Sequence, residues 1–474
     1  MAPVPPEQVV APTHDDPFVA ASSPVVGGPV GRHARGHPVW VPLRVLVVLV
    51  TLTGVVWLAR SAPCSAAGEW YGSDPFSDLC YSDLPLRYVD SGHAERTMPY
   101  VDTGGRYPQP TATPPVAAAA WLTAVVTHAL VGWPDVAERA ELPVSRLAAT
   151  PSLHQEATTY FFVGALLLFA CALGTTLLIA GVSGRRPWDA AAFAVAPALL
   201  LAGVIGWDLL AVVCAVAGLA AWEWRRPVAA GLLLGLAVAT AVWPLAVLVA
   251  VAVVAGRQRR LRDAALTLLA ATTAWVVLQL PALRLGPEGW WATIDIRLGE
   301  PAGYGSLWGL AADGGRTVAP GLLGVLVVVL AVLVIAAAAV VAWSAPRWPR
   351  LAQVSLLVLV GWLVVWPVYS PQQVLWLLPL AVLARPRWRD LLIWQAGEVL
   401  YFLAIWMHLS GATLDDGAVD RVYGVAIVVR VAAELYLAAV VARDLRHPVH
   451  DPVPRPPAEP PDVIQPAVST PRRR

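Results

Sequence analysis

The 474-residue chain contains no lysine, and all 33 of its basic residues are arginine. Chemistry that needs a lysine base, a Schiff base or a phosphate-binding lysine is closed to it. Charge of either sign is scarce. Only 14% of the residues are charged, against about 25% in an ordinary soluble domain, which excludes a water-soluble fold. The basic residues face 32 acidic ones, leaving a formal net charge of +1 and no cationic surplus for nucleic acid. No Gly-rich phosphate loop occurs, so no nucleotide site of that kind is present. Cysteines number four, and no histidine or third cysteine stands near Cys64 and Cys80 to complete a zinc site.

What is abundant is apolar sequence, at 57% of the chain. A spanning helix uses about 20 such residues, and about twelve spans would consume most of them. The composition predicts an all-α polytopic membrane domain over residues 39–446. The flanks, 1–38 and 447–474, are dense in proline and lack a helical period, so they read as disordered tails.

Arginine placement predicts topology. Arg32, Arg35 and Arg44 precede the first apolar run, 40–59, and would hold the N-terminus in the cytoplasm. A cleaved signal peptide is the rival reading, given small residues at Ala59 and Ala62, but the long preceding tail and the spanning length favour an uncleaved anchor. Arginines recur at 185–186, 225–226, 257–262, 347–350, 385–389 and 443–446. Each gap between clusters has room for two spans and an outer turn, and those turns fall near Gly206–Asp208, Val242–Pro244, Arg284–Arg316, Tyr369–Gln372 and Gly411–Asp420. Residues 114–133 have the hydropathy of a span, yet counting them would invert every later cluster. They are expected to lie on or dip into the outer interface, with 157–181 as the second span. Both termini are then cytoplasmic, and residues 60–156 form the largest extracytoplasmic loop, of the size that usually carries function.

That loop holds the densest chemistry. Residues 69–102 contain Glu69, Asp74, Asp78, Asp83, Asp90, Glu95 and Asp102 against Arg87 and Arg96, a balance that suits general base work or a divalent ion; a solvated acidic surface is the plainer alternative. Asp83 stands out because CYSDLPLRY gives it aromatic and apolar neighbours, which desolvate a carboxylate and raise its basicity. Cys64 and Cys80 would face an oxidising compartment, where they form a disulfide or remain two free thiols. Cys171 and Cys214 lie in apolar spans as packing residues.

The stretches CYSDLPLRY (80–88), WDLLAVVCAVAGLAAW (207–222) with RRPVAAGLLLGLAVATAVWPL (225–245), and VYSPQQVLWLLPLAVLARPRWRDLLIWQAGEVLYFLAIW (368–406) resemble glycosyltransferase family 87. These are GT-C membrane enzymes of actinobacteria that include polyprenol-phosphate-mannose-dependent mannosyltransferases. The resemblance, over about residues 40–445, implies a polyprenyl-phosphate sugar donor, a glycan or glycolipid acceptor on the outer face, and inversion at the anomeric carbon. It makes Asp83 the expected catalytic base. It calls for no cofactor, and a divalent cation stays open. Arg87, Arg284 and Arg297 are the available partners for the donor phosphate, unless they are interfacial anchors. Asp208, Tyr369 and Gln372 are placed at the same outer cavity, and Trp290 and Trp291 are candidates to stack on acceptor sugar faces or to join an interfacial belt. Glu398, inside a span, is either a cavity group or a structural hydrogen-bonding one.

The chain departs from the family pattern. Ala241 stands where a lysine is expected, Gly206 where an asparagine is, and Trp366 and Pro367 where Asn-Lys is. An expected Glu-Tyr-Pro is either replaced by Thr113, Pro114 and Pro115 or displaced to Arg106, Tyr107 and Pro108. The sequence thus implies a mannosyl-type transferase or, alternatively, a catalytically impaired homologue that binds lipid-linked sugar or envelope-assembly partners. A transporter ranks last, because neither internal repeats nor intramembrane charge pairs are read from the sequence.

Overall fold

A computed structural model describes residues 41–453 apart from 68–69, 71–73, 102–104, 109–110, 148–149, 185 and 413–419. Most of both expected tails therefore falls outside the described residues. Regular structure among the described residues is helical throughout. The helices used below are α1 (Pro42–Ala67), α2 (Asp83–Asp90), α3 (Pro114–Val131), α4 (Pro151–Ser183), α5 (Asp208–Glu223), α6 (Pro227–Thr240) and α7 (Leu245–Gln258). They continue with α8 (Leu261–Leu285), α9 (Pro287–Leu298), α10 (Pro320–Ser344), α11 (Leu351–Val365), α12 (Val374–Ala384), α13 (Trp388–Leu409) and α14 (Arg421–Arg446).

Seven of these, α1, α3, α4, α8, α10, α13 and α14, are long and apolar enough to cross a membrane. Side chains such as Val325, Val328 and Val332 on α10 point outward and exposed, an arrangement that water would penalise and lipid does not. Proline explains many of the starts. Pro114, Pro151, Pro227, Pro287 and Pro320 each open a helix, where the missing N–H costs nothing and φ is already set. Proline also explains a break. Residues 187–202 form no single helix but a 3-10 turn and two short helices interrupted before Pro197. The backbone groups freed there are met by buried side chains, as polar groups inside a bundle must be. Thr53 donates to Ala194 O at 2.5 Å, Trp57 Nε1 to Leu199 O at 2.9 Å, and Ala198 N to Gln395 Oε1 at 3.2 Å.

The bundle has two chemically distinct ends. At one, Arg186, Arg257 and Arg350 donate to the carbonyls of Pro452, Ala345 and Leu383, and Arg385 pairs with Asp390; at the other, Asp83, Asp208, Thr240 and Gln372 gather round a cavity. Between them α6 lies against α8 through GLLLG, where Gly231 and Gly235 meet the backbone of Thr267 and Ala271 so closely that no Cβ fits. This is the small-residue contact that lets membrane helices approach.

Helix α3 has spanning length, but both its ends reach the Asp83 end. Thr113 Oγ1 donates to Thr240 O at 2.8 Å, and His128 Nε2 meets the Tyr88 hydroxyl at 2.8 Å, which also donates to Glu156 near the start of α4. Two expectations need correction. Residues 447–453, assigned to the C-terminal tail, dock on the bundle: Arg350 Nη2 donates to Asp451 Oδ1 at 2.7 Å and Arg186 Nη1 to Pro452 O at 2.9 Å. A sequence rich in proline and charge packs here because paired arginines wait for it. Buried charge pairs do exist inside the helices, contrary to the sequence reading. Arg430 and Glu434 are one helical turn apart on α14 and bonded at 3.0 Å, a spacing visible in the sequence and passed over.

Candidate active site at the Asp83 end

Asp83 is held by its neighbours before any ligand arrives. Ser82 caps α2 by accepting from Leu84 N at 3.2 Å while donating to Val204 O at 2.7 Å, and Asp83 N donates to Ile205 O at 2.7 Å. The start of α2 is thereby stitched to the turn before α5. Tyr81 donates its hydroxyl to Asp83 Oδ1 at 2.7 Å and stacks on Phe76, both rings lying edge-on to Trp406. Tyr81 of CYSDLPLRY thus orients one carboxylate oxygen. A Cβ at Gly206 would stand 3.6 Å from the other, Oδ2, and 3.0 Å from Asp208 Oδ2 and 3.9 Å from Gln372 Nε2. Gly206 is thus the small floor over which two carboxylates and an amide converge. A larger residue there would close the gap between them.

Asp208 opens α5, and its Oδ1 accepts from Trp376 Nε1 at 2.7 Å. Trp376 stacks on Trp243, 6.0 Å between centroids, which seats the donor. Asp83, Asp208, Gln372 and Trp376 line a cavity of about 590 Å³ together with Arg87, Asp90 and His93, large enough for a sugar-sized ligand by comparison with typical ligand pockets. Arg87, which donates to Thr111 Oγ1 at 2.8 Å, is the one arginine among the described residues lining it. A second, apolar cavity of about 270 Å³ shares Met98, Pro99, Tyr100 and Ala117 with the first and is walled by Trp121, Leu122 and Pro281. The polar chamber therefore shares a wall with a greasy groove between α3 and α8.

The cap over this chamber is tied by ion pairs. Arg106 grips Glu95 with two bonds, 2.7 and 2.8 Å, and Tyr107 adds a third at 2.6 Å. Burial by itself would raise the Glu95 carboxyl, but the bonds from Arg106 and Tyr107 outweigh it and hold Glu95 below its ordinary value. Burial pushes the His93 ring down to about 4, against the opposing hydrogen bond to the Thr97 backbone. Burial also lifts Asp90, with Arg87 offsetting part of the rise. Cys64 and Cys80 are disulfide-bonded, with Cα atoms 5.9 Å apart, and fasten the end of α1 to the segment leading into α2.

The structure brings Asp83, Arg87, Asp208 and Gln372 together and leaves other sequence candidates elsewhere. Tyr369 is fully buried behind the cavity wall, its hydroxyl donating to Glu398 at 2.9 Å; three residues before Gln372, it faces the opposite way as the chain enters α12. Trp290 is buried and donates to Gln279 at 2.9 Å, so its role is to fasten α9 onto α8. Trp291 is 60% exposed and does not line the chamber. Arg284 is exposed near the end of α8, outside the chamber, and the Arg297 side chain lies outside the described residues. Glu398 has a structural partner in Trp394 as well, at 3.0 Å. Of the departures from the family pattern, Ala241, Gly206, Thr113, Tyr107 and Pro108 all line the cavity, whereas Pro367 is buried and accepts from Gly303 N at 2.9 Å. Sequence reasoning missed Trp376 and His93. Trp376 lies 168 residues from Asp208, and no local pattern links them. Among the described residues no group of three or more His, Cys, Asp or Glu side chains is arranged to hold a metal ion.

Comparison with protein-family models and with curated proteins finds no match.

Proposed function

We propose that the chain is a GT-C-like glycosyltransferase, resembling family 87, that transfers a sugar, by the resemblance mannose, from a polyprenyl-phosphate donor to a glycan or glycolipid on the outer face of the plasma membrane. The observation that carries this reading is the convergence of Asp83 and Asp208 with Gln372 over Gly206, in a chamber that shares a wall with an apolar groove. A lipid-linked donor needs both: a polar chamber for sugar and phosphate, and a lane for its chain. In the same reading the chain crosses the bilayer twelve times, through α1, α4, the broken run 187–202, α5 to α8 and α10 to α14. Helices α3 and α9 stay on the outer side, and the arginine clusters face the cytoplasm.

The chemistry follows from the geometry. With Oδ1 occupied by Tyr81, Asp83 Oδ2 is the oxygen left to take the acceptor hydroxyl's proton. The acceptor oxygen then bonds to the anomeric carbon from the face opposite the phosphate, and the carbon–oxygen bond to the phosphate breaks. The polyprenyl phosphate leaves with that electron pair, its charge met by Arg87. Asp208, held by Trp376, accepts hydrogen bonds from sugar hydroxyls. A positioned base contributes about 100-fold to 10,000-fold. Asp83→Asn keeps the shape and removes the base, so transfer from radiolabelled polyprenyl-phosphate mannose should fall by about that factor while folding and donor binding persist. Transfer at the wild-type rate would overturn the assignment and make Asp208→Asn the next test.

One observation favours a second reading, the impaired homologue. The chamber wall carries Ala241 and Gly206 where the family pattern has cationic and amide side chains, and Arg87 faces three aspartates, Asp83, Asp90 and Asp208. If the wild type binds a polyprenyl-phosphate sugar yet transfers none, that reading stands, and Ala241→Lys is the first restoration to make.

A further inference from the structure

Behind the chamber wall, α13 and α14 enclose a second cluster of ionisable groups that the proposed chemistry does not use. Arg430, Glu398 and Glu434 are exposed by only 1%, 4% and 0%. Arg430 Nη1 donates to Glu434 Oε1 at 3.0 Å and Nη2 to Gly305 O at 3.0 Å, and its guanidinium lies 3.5 Å from the centre of the Tyr369 ring. Glu398 accepts from Tyr369 at Oε2 and from Trp394 at Oε1. The other groups turned toward the cluster are hydroxyls. Tyr401 donates to Tyr369 O at 2.7 Å, and Tyr423 accepts from Gly305 N at 2.7 Å. Beyond Tyr423 stand His408 and Asp420, paired with each other at 2.9 Å.

Arg430 Nε is buried without a partner, and two features of the carboxyl pair remain unbalanced. One guanidinium faces two carboxyl groups, so with both ionised the cluster would carry an uncompensated negative charge inside the bundle. An unpaired ion is strongly disfavoured out of water, and neighbouring carboxylates there do not both ionise. In addition, Glu434 Oε2 is buried with no donor, although the Glu434 carboxyl lies within hydrogen-bonding reach of Glu398. A single proton removes both faults. We propose that Glu434 is protonated at Oε2 and donates to Glu398, so that Arg430, Glu398 and Glu434 form an uncharged buried unit that binds one proton. Its titration is a property of the carboxyl pair as a whole. The unit also ties Gly305 to Tyr369, the two segments that pair behind Gln372 through Tyr369 N and Tyr304 O at 2.8 Å. The inference does not depend on the transferase reading.

Infrared spectroscopy of the full-length protein in lipid nanodiscs at neutral pH reads the proton directly. The wild type should show the carbonyl stretch of a buried, protonated carboxylic acid, and this band should shift when the protein is labelled with carboxyl-13C glutamate. Glu398→Gln and Glu434→Gln should each abolish the glutamate-derived band, because either leaves one carboxylate facing Arg430, which then ionises. The labelled wild type decides the matter even if a variant fails to fold. Absence of a glutamate acid band there, or its survival in both variants, would overturn the proposal.

Discussion

The two ends of the bundle use the same residue types in opposite ways. At the arginine-bearing end buried charges are paired with charges of opposite sign or with backbone carbonyls. Arg385, wholly buried, donates to Asp390 Oδ2 at 2.6 Å and also bonds Asp444, while Asp390 Oδ1 accepts from Arg389 and Tyr436 at 2.9 Å each. Arg350 takes the last carbonyls of α12 and Asp451. At the other end, the carboxylates of Asp83 and Asp208 each hold one uncharged donor and turn the remaining oxygen to an open chamber. Charge paired with opposite charge locks helices; charge held only by an uncharged donor beside a cavity is available for a ligand. The difference separates scaffold from candidate site.

Removing a partner from each end tests that contrast. Arg385→Ala should have the largest effect, destabilising the protein by about 3 to 5 kcal/mol because two carboxylates are left buried. The check is a thermal unfolding shift in detergent together with reduced yield.

Acid should act next, on the cap. His93 is held neutral with its ring lowered to about 4, below the ordinary value of about 6.5. A lowered folded-state value means that the unfolded chain binds the proton more readily, so stability is fully present above pH 6.5 and is lost as pH falls toward 4. Glu95, also lowered, adds a loss of the same sign at the acid end. For His93 the slope integrates to about 3 kcal/mol, and His93→Phe should flatten it in unfolding curves recorded between pH 7 and pH 4. An unchanged slope would place the acid sensitivity elsewhere.

The smallest effect belongs to Trp376→Phe. It removes the donor to Asp208, yet that carboxylate can be hydrated from the chamber, so the cost to stability should be about 1 kcal/mol. Binding of a polyprenyl-phosphate sugar should weaken at the same time. A loss as large as that of Arg385→Ala would erase the distinction between the two ends.

Sequence alone determined the material of this protein. Apolar runs and scarce charge dictate helices in a non-aqueous setting, proline marks where many of them start and break, and arginine clusters mark one end of the bundle. The aromatics of CYSDLPLRY marked Asp83, because Tyr81 and Asp83 are close enough in the chain for a local contact. Tertiary structure decided everything that depends on helices distant in sequence. It brought Asp208, Gln372 and Trp376 to Asp83, sent Tyr369 to the far side of the same wall, and put Trp290 to work as a fastener. It also placed Glu398 of α13 beside Arg430 and Glu434 of α14. The physical reason is that hydropathy and charge are properties of single segments, legible one window at a time. Which face of a long apolar helix meets which neighbour is set by close packing, down to the absent Cβ of Gly206, Gly231 and Gly235.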